Sequence, residues 1–160
     1  CLRNMDLGFE SLRDHQKIMT KTVYRKFKKS DTDEVIKLWE LCKLIVPWNN
    51  PEEDIKRKLS VQDDLFIVAE IKKQIIATAM AGYDGHRGYI YYLAVLPEYQ
   101  KKGIGSSLLS IVEKKLLQFG CPKINLFVRN TNIRVKAFYK MNDYEIQDSQ
   151  IYGKRLIEDN

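Results

Sequence analysis

Two hydrophobic periods take turns along this chain, one of two residues and one of about 3.6. Residues 22–27 set Val23, Arg25 and Phe27 against Tyr24 and Lys26, the alternation of a first strand. Val35, Leu38, Trp39 and Cys42 then share one helical face. Ser30 or Asp31 caps that helix, and Glu34 completes a capping box from Asp31. Pro47 and Pro51 break the pattern. Asn50 caps a second helix, with Pro51 at its first position, acidic Glu52, Glu53 and Asp54 in its first turn, and Ile55 and Leu59 facing inward. Residues 65–71 and 74–83 read as strands joined by Lys72 and Lys73. The turn residues 84–88 lead into a third strand, 89–95, so these three form an antiparallel meander.

Pro97 closes that strand, because proline donates no ladder bond and disfavours helix at Leu96. A helix follows with Ile104, Leu108, Val112 and Leu116 on one face, stopped by Gly120 and Pro122. Residues 123–128 alternate again, and a strand reached through a crossover helix pairs in parallel. Asn132 opens a short helix through Ala137, Phe138 and Met141, and residues 144–149 and 151–156 read as the last strands. Residues 1–20 show no clear period and read as an N-terminal appendage outside a single domain, 21–160.

Composition narrows the class. At 160 residues, with 44% hydrophobic and 30% charged positions, the chain is one soluble globular domain. No apolar run is long enough to span a bilayer, and the N-terminus lacks the apolar centre of a signal peptide. Three unpatterned cysteines, Cys1, Cys42 and Cys121, suit a reducing, cytoplasmic setting with no disulfide framework and no metal site. Cys42 reads as a core residue rather than a reactive one. The net charge of +6 is concentrated at the front: residues 1–30 carry eight Lys/Arg and three Asp/Glu. The remainder is nearly neutral, which argues against a nucleic-acid or membrane partner.

The chemistry sits between residues 93 and 106. Leu93, Ala94 and Val95 end the strand, and Gln100, Lys101, Lys102, Gly103, Ile104 and Gly105 open the helix. The glycines let the backbone curl with nothing above its amides. The first N–H groups of the helix then point outward with the positive end of the dipole behind them, an anion site suited to a pyrophosphate. No Gly-Lys-Ser/Thr follows, so this is not a P-loop, and Leu108 stands where a dinucleotide fingerprint has its third glycine.

The string Leu93, Ala94, Val95, then Pro97, Glu98, Tyr99, then Gln100 through Gly105 resembles motif A of the GNAT N-acetyltransferases. The element order is similar to that family's fold as well. It implies an α/β (α+β) architecture with a mixed, mostly antiparallel sheet of about seven strands and about four flanking helices. Strands four and five would splay around the cofactor. Pro47, Trp48 and Asn49, the loop from Gly82 to Gly88, and Gly153, Lys154, Arg155 and Leu156 resemble the YpeA-like bacterial branch.

The resemblance implies acetyl-CoA as donor, no metal, and transfer of the acetyl group to a primary amine. Main-chain groups of Leu93, Ala94 and Val95 would hold the pantetheine arm. The amides of Lys101, Lys102, Gly103, Ile104, Gly105 and Ser106 would hold the pyrophosphate, with the two lysines either adding charge or simply solvated. The Val95 N–H would stabilise the oxyanion. Asn132 and Tyr139 match the family's cofactor residues, and Tyr139 would protonate the leaving thiolate unless it merely packs on the sheet. Asp143 stands where the family has a turn glycine, a substitution aspartate tolerates. Phe127 stands where ribosomal-protein N-terminal acetylases carry a glutamate base.

Trp48, Asp84, His86 and Tyr92 are candidates for the acceptor side. Trp48 could equally cover a helix junction, and Asp84 and His86 could be an ordinary turn residue and a solvated one. A non-catalytic acyl-CoA-binding module is the alternative reading, and a homodimer is left open.

Overall fold

The computed structural model describes residues 16–18 and 21–159. Five strands among them form one sheet in sequence order: β1 (Val23–Lys26), β2 (Phe66–Ile71), β3 (Gln74–Tyr83), β4 (Gly88–Val95) and β5 (Ile124–Asn125). Neighbours are antiparallel except β4 and β5, which are parallel. Helices α1 (Thr32–Leu41), α2 (Pro51–Val61), α3 (Ile104–Gln118) and α4 (Ile133–Met141) complete the α/β fold.

β3 is the centre of the core. Residues 75–81 are buried without a gap, so both of its faces are covered, and it touches both α1 and α3. α1 contributes Val35, Leu38 and Trp39, and α3 contributes Ile104, Leu108, Val112 and Leu116, the stripes that the 3.6-residue period marks out. Lys72 and Lys73 both take positive φ, 50° and 68°, which a two-residue type I′ hairpin demands. Asn50 caps α2 by accepting from the Glu52 and Glu53 N–H groups at 3.0 and 3.2 Å. Among the described residues no helix is long and apolar enough to cross a membrane.

Four local expectations give way to tertiary contacts. The Asp31–Glu34 capping box does not form. Asp31, 8% exposed, instead accepts from Arg25 at 2.7 and 3.1 Å and from the Lys28 N–H at 2.8 Å, because a buried carboxylate needs a cation. Glu34 reaches across to accept from the Ile75 N–H at 2.7 Å. The expected fifth strand, 123–128, shortens to two residues. The sheet has five strands rather than seven, since residues 144–149 and 151–156 join no ladder. Ile146, Ile151, Tyr152 and Leu156 are 92%, 68%, 89% and 85% exposed, so their alternation buries nothing that would offset the entropy of a strand.

Ile18 belongs to the stretch read as an appendage, yet it packs against the core. Its carbonyl accepts from the Lys21 N–H and the Thr22 hydroxyl. Residues 1–15 and 19–20 of that stretch lie outside the described residues.

Candidate active site

The sheet forks beside β4. The parallel ladder with β5 has two rungs, Gly88 with Ile124 and Tyr89 with Asn125. Among the described residues no strand lies beside the outer edge of β4 from Ile90 to Val95. Glycine is required at the root of the fork: a Cβ on Gly88 would lie 2.8 Å from Cys121 Sγ and 3.2 Å from Leu116. Beyond the last rung Phe127 turns its ring toward Tyr89 and Tyr91, with centroids 6.0 and 6.4 Å away.

A bulge interrupts β4 at the same place. Thr78 pairs with Ala94 and Met80 with Tyr91, so Tyr92 and Leu93 together face Ala79. Tyr92 sits at φ 50°, a conformation that costs a bulky residue about 1–2 kcal/mol. Its surroundings hold it there. The Trp39 indole N–H donates to the Thr78 hydroxyl at 2.9 Å, and that hydroxyl donates to the Tyr92 carbonyl at 2.8 Å. The Tyr92 ring stacks on Trp39 at 3.8 Å, and its hydroxyl donates to Asp54 Oδ2 at 2.6 Å. Burial first, and the Asp54 carboxylate second, push the Tyr92 phenol above its ordinary range.

The bulge fixes which main-chain groups face the fork. The Leu96 N–H bonds to the Ile76 carbonyl at 2.9 Å. Bonded and non-bonded pairs alternate in an antiparallel ladder, so Ala94 bonds to Thr78, and Val95 turns its N–H and C=O to the outer edge. The Ala94 main chain thus bonds within the sheet, and its side chain is buried. The Val95 carbonyl accepts from Gln100 Nε2 at 2.8 Å and from the Cys42 thiol at 3.3 Å. Burial pushes the Cys42 thiol up, which keeps it protonated and inert.

The start of α3 closes against this edge. Gly103 adopts φ 77° at the N-cap and offers the helix no side-chain cap, so the first-turn N–H groups of Ile104, Gly105 and Ser106 have no capping side chain. A Cβ on Gly105 would meet Phe138 at 3.3 Å and the Val95 side chain at 3.6 Å, so β4, α3 and α4 converge there. Arg134 Nη2 donates to Gln100 Oε1 at 2.5 Å and ties α4 to the same loop. Lys101 is exposed with φ 58°, whereas Lys102 lies over the Tyr99 ring, 5.6 Å from its centroid. Ile104 points into the core, which leaves only its main chain for a ligand.

Tyr139 follows Phe138 on α4, with its ring edge-on to Phe138 and Tyr144 at 5.2 and 5.5 Å. Burial pushes its phenol up to about 12. Asn132 spends its side-chain oxygen capping α4 on the Val135 N–H. Asp143 does adopt the left-handed turn, at φ 64°.

The acceptor candidates divide. Tyr92 is at the bulge, and Trp48, 55% exposed, stands next to Asn49, which the Arg155 guanidinium touches at 3.4 Å. Asp84 and His86 lie in the hairpin before β4, whose first residue, Gly88, is seven residues from Val95, roughly 23 Å at the rise of a strand. Asp84 accepts from the Arg87 and His86 N–H groups, which hold its carboxyl below the usual range, so it shapes the turn. Neither residue lies beside the bulge. Thr78 and Arg134 escaped the reading of the chain, and Asp54 entered it only as an acid in the first turn of α2. Thr78 left a trace, as the single hydroxyl in the apolar run of β3.

A family model described as Acetyltransferase (GNAT) family matches residues 32–144. An acetyltransferase of Sodalis glossinidius is 54% identical over 136 residues, 84% of this chain and 96% of that protein. The glucosamine-6-phosphate N-acetyltransferase of Arabidopsis thaliana has a similar fold, with TM-score 0.63 and 23% identity over 83% of this chain and 97% of that one. The PaiA N-acetyltransferase of Thermoplasma acidophilum, solved with coenzyme A, gives TM-score 0.64 and 22% identity over 81% and 92% of the two chains.

Proposed function

The chain belongs to the GNAT acetyltransferase family, and on that footing we propose that it transfers an acetyl group from acetyl-CoA to a primary amine by direct attack of the amine on the thioester. The observation that carries this reading is the fork: an open β4 edge with the Val95 N–H turned into it, and the side-chain-free start of α3 beside it. These residues fit the donor. An extended amide chain can lie along an unpaired strand edge, and a pyrophosphate suits a helix start built on Gly103 and Gly105. The coenzyme A complex of the Thermoplasma relative supports the same fit.

Acetyl-CoA supplies an activated acyl group. Val95 holds, through its N–H, the oxygen that becomes negative as the amine adds. The carbon–nitrogen bond would form and the carbon–sulfur bond break, with the amine's proton passing to bulk solvent while another reaches sulfur. Tyr139 gives the sulfur that proton. Its raised pKa keeps it protonated at neutral pH, and it follows Phe138, the residue of α4 that packs at Gly105. The free thiols of Cys42 and Cys121 suit a cytoplasmic setting.

Purified protein incubated with labelled acetyl-CoA and pools of amines and peptides tests the reading. Label should move to an amine. Tight CoA binding with no acceptor in any pool would leave an acyl-CoA-binding module instead.

A further inference from the structure

Outside the fork, a wide, solvent-open cavity of about 570 Å³ lies between Arg57 of α2 and the tail residues Gly153, Lys154, Arg155 and Asp159. That volume suits a small molecule. Its charge is uneven. Arg57 is closed onto Asp159 by two hydrogen bonds of 2.8 and 2.6 Å, so those two cancel. Arg155 donates to a neutral amide, Asn49. Among the described residues no ion pair engages Lys154 or Arg155. The wall therefore carries two cations beyond balance.

The cavity connects to the bulge through side chains. Arg57 Nη1 stands 3.5 Å from Asp54 Oδ1, and Asp54 Oδ2 receives the Tyr92 hydroxyl at 2.6 Å. Tyr92 directly precedes Leu93 at the fork. Asp54 thus links the Arg57 side of the cavity to the bulge, with one oxygen on Arg57 and the other on Tyr92, and the two cations stand in the cavity wall. An ammonium is drawn to the Asp54 carboxylate and an anion to the two cations.

We infer that the acceptor is a small primary amine bearing a carboxylate or phosphate group, with its ammonium end at Asp54 and its anion held by Lys154 and Arg155. This rests on the N-acetyltransferase reading above, and it names the acceptor class for that site.

The test compares matched probes by calorimetry on CoA-saturated protein, so it does not depend on turnover. Phosphoethanolamine is set against ethanolamine, and β-alanine against β-alaninamide; the two pairs separate phosphate from carboxylate. The charged member of at least one pair should bind about tenfold tighter or more, the weight of one charge-assisted contact. Lys154→Gln with Arg155→Gln should erase the preference, and Lys154→Arg with Arg155→Lys should keep it. Both residues are exposed, so these variants should fold. Equal affinities within both pairs, or a preference that survives the double glutamine variant, would overturn the inference. So would a loss of CoA affinity in that variant, which would assign the cavity to the donor. A preference that behaves as expected, with no acetyl transfer to any amine, would uphold the anion site and sink the acetyltransferase reading instead.

Discussion

Valine at position 105 puts a branched side chain where β4, α3 and α4 meet. The Cβ would lie 3.3 and 3.4 Å from two carbons of the Phe138 ring and 3.6 Å from Val95 Cγ2. The backbone there is helical, so φ does not forbid the change. A non-glycine residue in a helix gains up to about 1 kcal/mol of propensity, and valine gains roughly half of that. Two extra methyls in a filled gap cost about 1–3 kcal/mol. The net is a loss of about 1–2 kcal/mol, a fall in Tm of roughly 3–6 °C for a chain of this length. The effect on CoA should be larger. Side chains on a helix lean toward its N-terminus, so the methyls would stand over the first-turn amides. Losing two charge-assisted hydrogen bonds to the pyrophosphate, each worth about 1.5–3 kcal/mol, lowers affinity by roughly a hundredfold or more. The two effects can be separated. Adding Phe138→Leu relieves the crowding and leaves the amides covered, so the double variant should regain Tm but not affinity. Calorimetry with CoA and thermal denaturation on the parent, Gly105→Val and the double variant decide. If affinity returns together with Tm, or if folded Gly105→Val binds CoA like the parent, the anion site is not at these amides.

Tyr139→Phe should leave CoA affinity within the roughly 1 kcal/mol of one neutral hydrogen bond but slow the single-turnover rate at least tenfold, since general acid catalysis contributes about 10²–10⁴-fold; equal rates would remove Tyr139 as the donor. Because its phenol titrates only at about 12, the parent should lose no rate through this group as pH rises from 6 to 10, which a pH profile of the chemical step checks. Thr78→Val leaves the Trp39 N–H and the Tyr92 carbonyl without their shared partner and should cost about 2–5 kcal/mol in denaturant unfolding; a cost below 1 kcal/mol would mean the hydroxyl does not hold the bulge. Asp31→Asn strips the buried partner from Arg25 and should cost about 3–5 kcal/mol at pH 7. Although burial works against it, the Arg25 guanidinium and the Lys28 N–H lower the Asp31 pKa below 3.8; its contribution is therefore complete above that value and lost as pH falls through the folded value, so parent and variant should converge in acid denaturation. A chain beginning at residue 16 should keep full turnover, because every site residue lies beyond Thr22 and Ile18 is retained; a large drop in a stable protein would place the first fifteen residues in the site.

What the sequence determined by itself are the features settled within a few residues. The stripe Val35, Leu38 and Trp39, the cap at Asn50, the paired left-handed lysines 72 and 73, and the uncapped glycine start of α3 each depend on neighbours one to four positions away. Their energies are local, so the pattern is enough, and the uncapped turn at Gly103 and Gly105, where the pyrophosphate site is proposed, was legible for the same reason. Tertiary structure decided wherever a partner lies dozens of residues away. Asp31 and Glu34 have the spacing of a capping box, but Arg25 and the Ile75 N–H compete for them and win. Asp84 and His86 resemble proton-transfer residues until the length of β4 sets them at the wrong end of it. The alternation after Tyr144 is the same kind of signal that marks β2 and β3, yet no apolar surface meets it, and the segment stays out of the sheet. Tyr92 keeps its positive φ at the bulge only because Thr78, Trp39 and Asp54, contributed by three other elements, hold it in a conformation that its own sequence disfavours. A period specifies which face of an element is apolar; which surface meets that face is set by the packing of the whole chain.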